Sequence, residues 1–80
     1  MKLVTKKPYF IRAEWDEEAQ VWVATSDDVP GLATESESVE NLIKKLRGMI
    51  PEILEANGIS LDQEVTFEVL VRRFESAISY

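Results

Sequence analysis

The sequence has no cysteine and no histidine. The first absence rules out a disulfide framework, a thiolate nucleophile and a thiolate metal site. The second removes the commonest general base and the imidazole ligand. No apolar stretch approaches the ~20 residues that cross a bilayer, and the start Met1-Lys2-Leu3-Val4-Thr5-Lys6-Lys7 lacks the apolar centre of a signal peptide. Cations are also in short supply, with nine Lys and Arg against fifteen Asp and Glu and a net charge of -6. That balance repels phosphate backbones and anionic lipid at long range and favours a basic partner. The expectation is a soluble, cytoplasmic chain with no cofactor, no metal, no direct nucleic-acid contact and no membrane association.

What is present is patterned. Hydrophobic residues make up 45% of the chain, enough for one small core, and residues 1–80 read as a single domain with its core over about residues 8–75. Tyr9, Ile11, Ala13 and Trp15 alternate with polar neighbours, and after the polar stretch Asp16 to Gln20 the residues Val21, Val23 and Thr25 alternate with Trp22 and Ala24. This predicts an antiparallel hairpin. In Asp27-Asp28-Val29-Pro30-Gly31, Pro30 fixes its own φ and extends Val29, while Gly31 suits the positive φ of a type II turn. Val29, Pro30 and Gly31 are therefore the structural turn. Leu32 to Glu35 leaves room for a short third strand, and Ser36 or Ser38 offers a helix cap.

From Val39 the apolar positions 39, 42, 43, 46, 49, 50, 53 and 54 form one helical stripe, and Asn57-Gly58 supplies the stop. Gly48 and Pro51 lie opposite that stripe, so Pro51 is read as a bend in one helix. Val65, Phe67, Val69 and Val71 alternate with Thr66, Glu68, Leu70 and Arg72, which predicts a central or near-central strand from about Glu64 to Phe74. The expected fold is α+β, an antiparallel sheet of three meander strands plus a fourth strand after one helix. The helix packs on one sheet face, over Ile11, Trp15, Val23, Val65, Phe67 and Val69.

The aromatic hairpin, the Asp-Asp-Val-Pro-Gly-Leu turn, the Thr34 to Val39 lead-in and the Leu42/Leu46/Ile50 helix resemble the HicB-like antitoxin superfamily over roughly Tyr9 to Val71. The phrase Ile-Pro-Glu-Ile-Leu-Glu-Ala-Asn-Gly, Ile50 to Gly58 here, is similar to that of a short branch of unknown function. The resemblance implies a partial ribonuclease-H-like fold with the fourth strand beside the first. It also implies a role in blocking a small basic messenger-RNA-cleaving toxin. Full-length antitoxins add a ribbon-helix-helix or helix-turn-helix tail, whereas Glu75 to Tyr80 leave no room for one after the last strand. Operator binding is therefore not expected.

No catalytic residues are assigned. Asp16, Glu17, Glu18, Asp27 and Asp28 are numerous, but they fall in a turn and a loop rather than on strands aimed at one point, and their spacing is not that of a calcium loop. Lys44, Lys45, Arg47, Arg72 and Arg73 read as solvated faces with local ion pairs. Trp15 is expected in the core. Trp22, by alternation, is expected on the opposite sheet face with Phe10, Leu70 and Phe74, and these four form the expected partner or dimer interface. Arg12 and Arg72 lying over those rings is the alternative. The predicted function is non-enzymatic protein binding, antitoxin-type masking of a small basic toxin, with a homodimer as the favoured assembly. The alternative is an orphan homo-oligomer with a structural or small-ligand-binding role.

Overall fold

The computed structural model describes residues 8–60 and 64–79. Alternating apolar residues form the strands β1 (Tyr9–Asp16), β2 (Val21–Thr25), β3 (Ala33–Ser36) and β4 (Phe67–Arg72), and the apolar stripe forms α1 (Val39–Ala56) between β3 and β4. The architecture is α+β, with sheet order β3-β2-β1-β4. β1 and β2, and β2 and β3, pair antiparallel, but β4 runs parallel to β1. The expected antiparallel sheet is thus corrected to a mixed one. The cause is the chain's own path. β3 runs in the direction of β1, α1 carries the chain back, and the next strand must then run with β1. β4 is also an edge strand rather than a central one, and the span predicted from Glu64 to Phe74 contracts to Phe67–Arg72.

The hairpin register decides which residues enter the core. Asp16 faces Val21, Trp15 faces Trp22 and Ala13 faces Ala24. Four residues between Asp16 and Val21 make odd-numbered positions of β1 share a face with even-numbered positions of β2. The loop is fixed locally: Asp16 Oδ1 accepts from the backbone N–H groups of Glu18 and Ala19 at 3.0 and 3.1 Å, and Gln20 takes a φ of 59°. Ala24 is therefore buried, and Val23, expected in the core, points away from the helix.

α1 starts where Ser38 Oγ accepts from the Asn41 N–H at 3.1 Å. Its inner stripe, Leu42, Leu46, Ile50 and Leu54, has no exposed surface and meets Ile11, Ala13, Ala24, Val29 and Leu32 in one cluster. Pro51 sits inside the helix without ending it. The end is a Schellman closure: Gly58, at φ +79°, donates to Glu55 C=O, and Ile59 donates to Leu54 C=O, both at 3.0 Å.

The loop after β2 is held to β1 by its own side chains. Ser26 Oγ donates to Phe10 C=O at 2.5 Å and accepts from the N–H groups of Asp28 and Val29 at 3.0 and 3.1 Å. Asp28 Oδ2 accepts from Phe10 N–H at 2.8 Å. Leu32 N–H then closes the turn onto Val29 C=O at 3.1 Å, with Gly31 at φ +86°. Val29 is fully buried, so this bonding sets a core residue. Ser26→Ala leaves three backbone groups without their partner and is expected to cost about 1–3 kcal/mol, measured by chemical denaturation.

Candidate functional site

One helix covers one side of the sheet. Alternation and the paired registers therefore leave Phe10, Arg12 and Glu14 of β1, Val21, Val23 and Thr25 of β2, Ala33 and Glu35 of β3, and Glu68, Leu70 and Arg72 of β4 on the other side. Arg12 stands at its middle, between Thr25 and Leu70. Its Nη2 lies 3.1 Å from Asp27 Oδ2, and its guanidinium carbon is 5.9 Å from the Phe10 ring centroid. Leu70 remains 54% exposed. Phe10, Val21 and Val23 are half-buried by their neighbours, whereas Glu14, Glu35 and Glu68 are exposed. The face thus has a modest apolar strip, two arginines of which Arg12 is paired with Asp27, and a border of exposed carboxylates.

Of the four residues expected together, Phe10 and Leu70 share this face. Trp22 does not, and its placement there is corrected by the register that seats it opposite Trp15. Trp22 packs against the core cluster. The two indoles meet edge to face at 5.2 Å, and the Arg73 guanidinium lies over both, 4.3 Å from the Trp15 centroid and 5.9 Å from that of Trp22. Trp15, expected as the core tryptophan, is half-buried beneath Arg73. Phe74 lies beyond β4, 82% exposed, with the Arg72 guanidinium 4.9 Å from its ring. Ile78, which sequence reasoning passed over, is 79% exposed. The signal was available in the four-residue spacing of Leu70, Phe74 and Ile78.

The carboxylates act locally. Asp16 and Asp28 accept backbone N–H groups, Asp27 pairs with Arg12, and Glu17 accepts from Gln20 Nε2 at 2.8 Å and from Trp15 Nε1 at 3.3 Å. Among the described residues no group of three or more potential ligands is gathered for a metal ion. Cations are likewise dispersed: Lys45 Nζ donates to Glu35 C=O at 2.5 Å, and Arg73 pairs with Glu75. No helix among the described residues is long and apolar enough to cross a membrane.

The model of DUF1902, a domain of unknown function, matches residues 8–79. A hypothetical protein from the extremely thermophilic bacterium Thermus thermophilus, solved by crystallography, is 45% identical to this chain. The similarity covers 91% of this chain and 100% of that one, with a TM-score of 0.70. No curated protein matches. The chain belongs to the DUF1902 family.

Proposed function

We propose that this DUF1902 member is a non-enzymatic protein-binding module, and that its helix-free sheet face docks on a small basic protein. The observation that carries this reading is the one-sided cover of the sheet, which leaves Phe10, Val23 and Leu70 beside the exposed Glu14, Glu35 and Glu68. Apolar surface at the centre of a patch supplies contact once water leaves, and carboxylates around it select and steer a cationic partner. The net charge of -6 acts in the same direction at longer range.

In finer detail, the resemblance of the hairpin, the Asp27 to Leu32 turn and the helix to HicB-like antitoxins suggests the partner's class. It is a small messenger-RNA-cleaving toxin, masked in the cytoplasm by this protein acting without chemistry of its own. The test is rescue of growth. Small basic ribonucleases of double-stranded-RNA-binding-like fold from the source genome are expressed one at a time with this chain. Wild type is expected to relieve the arrest caused by its cognate toxin, and Leu70→Glu to relieve it much less. Arrest that persists for every such ribonuclease in the presence of wild type overturns the reading.

A further inference from the structure

β4 is an open edge: it pairs with β1 on one side, and among the described elements it packs beside no other. Its last paired residue, Arg72, faces Glu14, and two residues later β1 enters the hairpin turn. The chain nevertheless continues through Ser79 with every residue exposed and, among the described residues, with no backbone–backbone hydrogen bond from residues 73–79. The strand's alternation also persists past its end. Arg73 reaches the tryptophans on the helix side, while Arg72 and Phe74 lie together on the other. Leu70, Phe74 and Ile78, of one parity, are 54%, 82% and 79% exposed. A bare edge that continues into an unpaired apolar segment is a template for another strand.

We infer that the partner strand is the same segment of a second copy, antiparallel about a two-fold axis through Phe74. An axis normal to the sheet keeps every side chain on its own face, so residues of equal parity must pair. Centring the axis on Arg72 or on Arg73 sets like guanidiniums directly opposite each other, and centring it on Glu75 does the same with carboxylates, each destabilising. Centring it on Phe74 sets ring against ring, Leu70 against Ile78, Val71 against Ala77, and Arg73 against Glu75. Only this register among the four matches apolar with apolar and cation with anion at once. It gives one eight-stranded sheet, with both helices on one side and both helix-free faces on the other, so it leaves that face open to the partner proposed above, with Leu70 shared by the two surfaces.

The chain has no cysteine, so introduced thiols report the register without background. Wild type is expected to sediment as a dimer. Phe74→Glu, at an exposed site whose folding circular dichroism verifies, should weaken the dimer at least about tenfold. Under mild oxidation Phe74→Cys should cross-link to itself. Leu70→Cys and Ile78→Cys should cross-link when mixed and not when alone. A wild type that stays monomeric at about 100 µM overturns the inference. So does a dimer that is indifferent to Phe74→Glu, or one whose mixed Leu70→Cys and Ile78→Cys proteins fail to cross-link.

Discussion

Trp22→Glu is expected to cost this protein a large share of its stability rather than simply to alter its surface. Trp22 packs against the core cluster, meets Trp15 at 5.2 Å and shares the Arg73 guanidinium with it. The substitution removes that aromatic contact and brings a carboxylate to the margin of the core. A loss of about 3 kcal/mol is expected from the range for truncating large aromatics. A domain of this size has a total of roughly 4–12 kcal/mol. The thermal midpoint should fall by roughly 15 °C, followed by circular dichroism. A midpoint unchanged within a few degrees would place Trp22 outside the packing described here.

Leu46→Ala should be comparably severe. Leu46 is fully buried at the middle of the helix stripe, between Leu42 and Ile50, and under the sheet residues of the same cluster. A cavity there cannot be filled by water that finds polar partners, because the core contains no buried polar or charged residue among those described. The expected cost is about 2–5 kcal/mol by urea denaturation, with the midpoint shifted and the slope retained. Leu70→Ala, on the helix-free face and 54% exposed, should cost far less, which makes it a control for the same chemistry at a different depth.

The helix was legible because its signal is redundant. Eight apolar positions at helical spacing, a serine cap and an Asn-Gly stop agree, and Pro51 lies within the helix without ending it. The strand positions followed from alternation, but alternation alone leaves each strand free to present either face. Which face of β2 turns inward depends on the count of residues in the hairpin loop, and the pairing of Asp16 with Val21 reverses the assignment of Trp22 and Val23. Composition could not decide the matter, since a tryptophan and a valine are both acceptable in the core. The direction of β4 required following the path across α1, and its position at the edge had no mark in Phe67–Arg72, which is as apolar as a central strand. Of the expected interface, Phe10 and Leu70 lie on one face because β1 and β4 pair in a register that keeps even positions together. Phe74 belongs to the segment beyond the sheet.

The claim that the helix-free face receives a basic protein is tested most directly by calorimetry. The cognate small basic ribonuclease identified by growth rescue is titrated into wild type and into Leu70→Glu. Leu70 is exposed, so the substituted chain should keep its fold while placing a charge in the apolar strip beside Arg12. Wild type is expected to bind with an affinity that weakens with added salt, and the substitution to raise the dissociation constant at least about tenfold. Equal affinity for the two proteins contradicts the claim.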